Sequence, residues 1–258
     1  MGKNKLARWN EFGSFANVIQ PEIGEIAGKD YPIKGNWNSQ IFKNNNPVIL
    51  ELGCGKGEYT IGLARLFPQN NFIGVDIKGA RMWRGAKTSN ELQMQNVAFL
   101  RTRIEFINSF FTQGEVDEIW ITFPDPHAGA RNSNKRLTSP QFLRKYLLFL
   151  KENGIVHLKT DNEELYKFTC SVVKDNNLDL IISTDDLYSI KPETSDISPE
   201  IAGSLSHPGE TASFFENILS IKTHYERLFL LKGMKITYLS FRLKKEKFLH
   251  NGEVRKKS

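Results

Sequence analysis

The sequence predicts a doubly wound α/β fold, a mostly parallel sheet with helices on both faces and an antiparallel last strand. From Pro47 onward, short runs rich in Val, Ile and Phe alternate with segments whose apolar residues recur at helical spacing. Gly, Asn, Pro or Asp bounds each apolar run, and alternation of this kind makes consecutive strands parallel. The final apolar run follows a helix without a clear crossover, which turns the last strand antiparallel.

In order, residues 1–46 are irregular apart from a short helix expected at 6–12. PVILELG (47–53), NFIGVDI (71–77), VAFLRT (97–102), EVDEIWITF (115–123) and GIVHLKT (154–160) are the parallel strands. Residues 58–67, 80–94, 140–151 and 163–175 are the helices between and after them. A strand at 178–188 precedes a Pro-, Ser- and Gly-containing stretch, 189–212, that is longer than most internal connections. Residues 213–233 carry helical spacing up to a stop at Gly233, and KITYLSFRL (235–243) alternates as a strand. This divides the chain into an N-terminal extension (1–46), one catalytic-sized domain (47–243) and a basic tail (244–258).

Composition excludes several classes. The longest apolar runs, such as FLRKYLLFL, are broken by charge far short of a membrane span, and the first residues lack a signal-peptide core. A cytoplasmic protein with no membrane partner is expected. Cys54 and Cys170 stand far apart with no metal-ligand spacing, so neither a disulfide nor a metal site is expected. The net charge of +6 is local: residues 233–258 hold eight Lys or Arg against two Glu, a surplus equal to the whole. A basic tail attracts a polyanion without reading its sequence, or serves only solubility.

Ligands of such sheets lie beyond the carboxyl ends of the strands, so the residues closing each strand carry most information. The 47–53 strand ends in Glu51-Leu-Gly53-Cys-Gly55-Lys-Gly57, and the next ends at Asp76, about 20 residues further on. Glycines at the bend admit a ligand close to the backbone, and an acid at the next strand end suits the hydroxyls of a ribose. Glu58 stands where a dinucleotide fingerprint needs its third Gly, and the phosphate-loop pattern is absent, which disfavours NAD and ATP. The competing reading is a tight strand-to-helix turn with Asp76 as a helix cap.

The 115–123 strand runs into Pro124-Asp125-Pro126, which holds an acid in a rigid turn facing the cofactor crevice. Arg131, Lys135 and Arg136 follow without an acid among them, a candidate phosphate-gripping loop. Asp161-Asn-Glu-Glu164 and Thr223-His224-Tyr225-Glu226 both fit helix capping boxes as well as functional roles. His127 is a base or phosphate contact, or a plain loop histidine.

The acid-x-G-x-G-x-G turn resembles the first motif of class I, Rossmann-like methyltransferases. Phe-Pro-Asp-Pro followed by a basic loop ending Lys-Arg-Leu, Lys-Thr-Asp161, and Thr223 to Glu226 before a final strand resemble the tRNA (guanine-N7)-methyltransferases in order and spacing. With Ala7-Arg-Trp-Asn-Glu-Phe, the resemblance covers most of residues 7–243. It implies S-adenosyl-L-methionine as cofactor, held by Glu51, Gly53, Gly55, Asp76, Arg103 and Asp125, with Asp125 catalytic. It implies tRNA as partner, a guanosine of its variable loop as target, and substrate contacts at Asp161, Thr223, His224, Tyr225 and Glu226. A monomer or homodimer is expected.

The chain departs from the family in two places. His127 and Gly129 stand where a Trp and a substrate-binding Lys are usual, with Arg131 or Lys135 as replacements. Arg103 stands where Asp or Asn is usual, so contact there is expected through backbone. Two other readings remain open, a class I methyltransferase acting on another RNA or an amino group, and a non-catalytic RNA-binding protein on the same fold.

Overall fold

The computed structural model describes residues 3–189 and 217–245. Eight strands form one sheet in the order β1-β4-β3-β2-β5-β6-β8-β7. They are β1 (Val18–Ile19), β2 (Val48–Leu52), β3 (Asn71–Asp76), β4 (Val97–Arg101), β5 (Val116–Thr122), β6 (Leu150–Thr160), β7 (Asp179–Thr184) and β8 (Thr237–Arg242). The ladders from β1 to β6 are parallel, and β8 inserts antiparallel between β6 and β7. The expected antiparallel last strand is therefore present. The strand order reverses between β2 and β5, so the crevice at their carboxyl ends is the switch point where ligands of such sheets sit.

The helices are α1 (Lys3–Ser14), α2 (Ile23–Ile26), α3 (Glu58–Leu66), α4 (Gly79–Glu91), α5 (Pro140–Tyr146), α6 (Glu163–Asp175) and α7 (His224–Leu231). Because side chains alternate along a strand, each strand feeds two cores. Leu50 and Leu52, Ile119 and Ile121, and Val156 and Leu158 pack on the side of Phe142 of α5 and Leu165 of α6. Ile49, Phe72, Phe99 and Trp120 pack on the other side with Tyr59 and Leu63 of α3 and Met82 of α4. Glu51 has the parity of Ile49, which aims it at α3.

Several boundaries differ from the sequence reading. The helix expected over 140–151 ends at Tyr146, and β6 begins at Leu150, pairing with Val116. Residues 1–46 are more ordered than their pattern suggests: Trp37 is wholly buried, and β1 extends the sheet beside β4. The run 213–233 is not one helix. Residues 217–220 are helical, 221–223 are not, and Thr223 caps a separate α7. Gly233, at φ +72°, closes the turn that ends it. The stretch 189–212, apart from Ser189, and the tail beyond Lys245 lie outside the described residues.

Candidate active site

A cavity of about 650 Å³ opens at the switch point. Of the residues expected there, Glu51, Gly53, Gly55, Asp76, Arg103, Asp125, Lys135, Thr223 and Tyr225 line it, while Asp161, His224, Glu226 and Arg131 do not.

Its floor is the β2–α3 turn. Gly53 and Gly55 have φ of +79° and +56°, conformations that side chains rarely adopt, and a Cβ on either would meet nothing within 4 Å. The glycines thus satisfy backbone shape while leaving open space above the turn. Asp76, ending β3, accepts hydrogen bonds from the Gly55 amide (3.0 Å) and the Lys78 amide (2.8 Å). It fixes the turn and also lines the cavity. Glu51 is buried and accepts from the Thr60 amide at 2.8 Å and from the Thr60 and Thr122 hydroxyls. Burial raises its pKa to about 7, offset in part by those donors. A buried acid near neutrality, beside a glycine cradle and a second acid, fits a ligand with a cationic end and a ribose. The donor set therefore fits S-adenosyl-L-methionine. Among the described residues, no group of three or more His, Cys, Asp or Glu could hold a metal ion.

Arg103 follows β4 by two residues and forms an exposed ion pair with Glu105 at 3.5 Å. Glu105 also lines the cavity, so this pair and residues 102–104 together form one wall of it.

The opposite wall is the turn after β5. Phe123 and His127 both have positive φ (+47° and +44°), uncommon for side chains of their size and typical of constrained functional turns. The Phe123 amide is tied to the Lys159 carbonyl at 2.8 Å. Between them the Asp125 side chain is 77% exposed, its Oδ1 accepting from the His127 amide at 3.1 Å. The carboxylate is thereby oriented while most of its accepting capacity stays free.

The basic loop divides by role. Arg136, grouped by sequence with the phosphate-gripping residues, is 3% exposed in its side chain. It donates to the carbonyls of Pro126 (3.1 Å) and His127 (3.3 Å), pairs with Glu164, and lies over the Phe168 ring. It therefore clamps the Asp125 turn and is not offered to a phosphate. Lys135 lines the cavity, whereas Arg131 stands outside it. Gly129, where the family has Lys, has φ +82° and ψ 151°, a region essentially restricted to glycine.

Both expected capping boxes need refinement. The cap of α6 is Asn162, whose side chain accepts from the Leu165 amide at 2.8 Å. Asp161 is thus left outside the cap and half-buried, and desolvation raises its pKa, opposed by a hydrogen bond from its own backbone amide. Thr223 and Glu226 do form a reciprocal box on α7. Glu226, implied as a substrate contact, is fully buried: it pairs with Lys159 at 2.7 Å and accepts from Tyr188 Oη at 2.7 Å. Lys159, whose pKa burial lowers, also reaches the Ile221 carbonyl at 3.4 Å. This buried pair ties α7 to β6 and leaves Thr223 and Tyr225 to face the cavity.

Thr60, Thr122, Lys159, Tyr188 and the clamping role of Arg136 escape the sequence reading. Lys159 stands in the sequence only as part of the Lys-Thr-Asp161 motif, and its position in the buried end of β6, after Ile155, Val156 and Leu158, is the signal that it needs a buried partner.

Comparison with known proteins agrees with this geometry. A sequence family described as "Putative methyltransferase" matches residues 45–201. A tRNA (guanine-N(7)-)-methyltransferase of Bacteroides fragilis (strain YCH46) is 44% identical over 254 residues, covering 98% of this chain and 91% of the relative. One of Porphyromonas gingivalis (strain ATCC BAA-308 / W83) is 46% identical over 230 residues, covering 89% and 82%. A solved structure described as an antibiotic-related methyltransferase superposes with a TM-score of 0.52 at 13% identity, covering 84% of this chain and 97% of that one, and shares the fold. With a cofactor-shaped turn, an acid-bearing turn opposite it and relatives spanning nearly the whole chain, this protein belongs to the tRNA (guanine-N(7)-)-methyltransferase family.

Proposed function

We propose that the chain transfers a methyl group from S-adenosyl-L-methionine to N7 of a guanosine in the variable loop of tRNA. The observation that carries this reading is the oriented, exposed carboxylate of Asp125 across the cavity from the Glu51, Gly53, Gly55 and Asp76 turn. When bound, the cofactor supplies an electrophilic methyl on a positively charged sulfur. Guanine N7 already bears an in-plane lone pair, so no proton need be abstracted and the protein's task is alignment. Asp125 accepts hydrogen bonds from the N1 and N2 edge of the guanine and stabilises the positive charge that develops on the ring. Glu51 faces the cationic end of the cofactor and Asp76 the ribose, with the 102–104 backbone, including Arg103, alongside the adenine.

Thr223 and Tyr225 form the substrate wall. Lys135 takes the place of the family's usual Lys, since it lines the cavity and position 129 requires glycine. Asp161, free of the helix cap, is the further substrate contact. A cytoplasmic site of action follows from a tRNA substrate.

The test is transfer of labelled methyl to unmodified tRNA, followed by nucleoside digestion and mass identification. Label in 7-methylguanosine at one variable-loop position supports the reading. Label in another nucleoside, or in protein, replaces it with a methyltransferase of different specificity.

A further inference from the structure

Beside the active-site cavity lies a second concavity of about 590 Å³ that the reaction does not use. Lys56, Arg65, Arg84, Lys222 and Arg227 line it, with Glu58 the one acid. They come from four separate segments: the β2–α3 turn (Lys56), α3 (Arg65), α4 (Arg84), and α7 with the residues leading into it (Lys222 and Arg227). Close backbone contacts hold these segments together. A Cβ on Gly57 would meet the Phe99 ring at 2.7 Å, and one on Gly85 would meet the Lys56 carbonyl at 2.8 Å. A Cβ on Gly62 would meet Ile221 at 2.6 Å. The walls are therefore fixed by packing, and the cations gather where the backbone puts them.

Among the described residues, no ion pair neutralises this gathering. Lys56, Arg65, Arg84 and Arg227 are exposed and have no acidic partner among the described residues, and Lys222 lies over the Tyr188 ring at 4.9 Å. Glu58 is already engaged, accepting from the His224 amide at 2.9 Å. Cations clustered this way repel one another and contribute little to folding, while their summed field attracts a polyanion. Lys56 and Glu58 line both concavities, so the groove adjoins the proposed methyl-transfer cavity.

We infer that this groove binds the phosphate backbone of the RNA whose guanosine enters the cavity. The inference rests on the proposed function and adds a docking surface to it. Phosphate contacts set register without reading bases. The groove therefore governs how tightly, and in which orientation, the RNA is held, and leaves the choice of base to the cavity.

The experiment is tRNA binding by R65Q/R84Q against the unaltered chain across a salt series, with cofactor affinity measured in parallel. Both side chains are exposed and neither lines the active-site cavity, so unchanged cofactor affinity reports an intact fold. The expected result is a weakening of roughly 10- to 40-fold near 0.1 M salt. The slope of log K against log salt should fall by about 1.5, since each neutralised phosphate contributes roughly 0.7 to 0.9. An unchanged slope, with methyl transfer to tRNA intact, overturns the groove and spares the function.

Tighter binding by the variant also overturns it. That outcome would assign the groove to the chain's own residues 193–216, which hold five acids and no Lys or Arg. If the unaltered chain neither binds nor methylates tRNA, the functional reading fails and the groove's role goes with it.

Discussion

Asp125 sits in a turn that Phe123 and His127 hold in left-handed conformations and that Arg136 clamps from behind. The role proposed for it is electrostatic, so Asp125→Asn keeps the shape and removes the charge. The expected loss is roughly 100- to 1000-fold in kcat, the range for removing one preorganised contact, with cofactor affinity retained. Near wild-type turnover in steady-state kinetics would rule the role out. Glu51 supports a pH prediction. Its folded pKa of about 7 lies above the ordinary 4.5, so between those values the folded chain holds a proton that the unfolded chain has released. Stability from this group is therefore lost as pH rises through that window. A cationic ligand prefers the ionised acid, so cofactor affinity should rise as pH passes upward through 7, with proton release on binding. The groups around Glu51 are Thr60 and Thr122 as donors and Asp76 as a like charge that adds to the rise. Calorimetry in buffers of different ionisation enthalpy counts the proton, and Glu51→Gln should flatten the dependence. Affinity independent of pH in the unaltered chain would sink the idea.

At the scale of elements, the parallel strands and the two acids that line the cavity, Glu51 and Asp76, were legible because each depends on local pattern: a run of β-branched residues, a glycine turn, an acid at a strand end. The break at 221–223 was not legible. Helical spacing continues across it, and what interrupts the helix is tertiary, with Ile221 seated on Gly62 and Glu226 paired with Lys159. Arg136 escaped for the same reason, since its burial depends on Glu164 of α6. The Gly62 contact is testable. Gly62→Ala places a methyl against Cγ2, Cγ1 and Cβ of Ile221, so the segment itself must shift. Destabilisation of about 1 to 3 kcal/mol is expected, as for overpacked cores. KM for RNA should rise as Thr223 and Tyr225 move, with cofactor affinity unchanged. Urea denaturation and kinetics check both, and Ile221→Ala in the same background should recover part of each loss. Additive losses in the double variant would mean that the two residues do not meet.

Across the whole molecule, charge and fold are largely separate. The sheet fixes the cavity, and none of the described helices is long and apolar enough to cross a membrane. The surplus charge lies mostly at the C-terminus, where Lys244 is committed to an ion pair with Asp179 at the edge strand β7. Beyond Lys245 the chain carries Lys247, Arg255, Lys256 and Lys257 against Glu246 and Glu253. Truncation after Lys245 spares the Lys244 pair and removes only this cationic segment. At low salt, where charges act across about 10 Å or more, the truncated chain should bind tRNA more weakly and with a flatter salt dependence. The two forms should converge as salt rises, and cofactor affinity should not change. Because the tail and the Arg65–Arg84 groove would meet different phosphates, combining truncation with R65Q/R84Q should add the two losses in log Kd. A loss smaller than the sum would mean that both grip the same stretch of backbone, and an unchanged slope after truncation would reduce the tail to an aid to solubility.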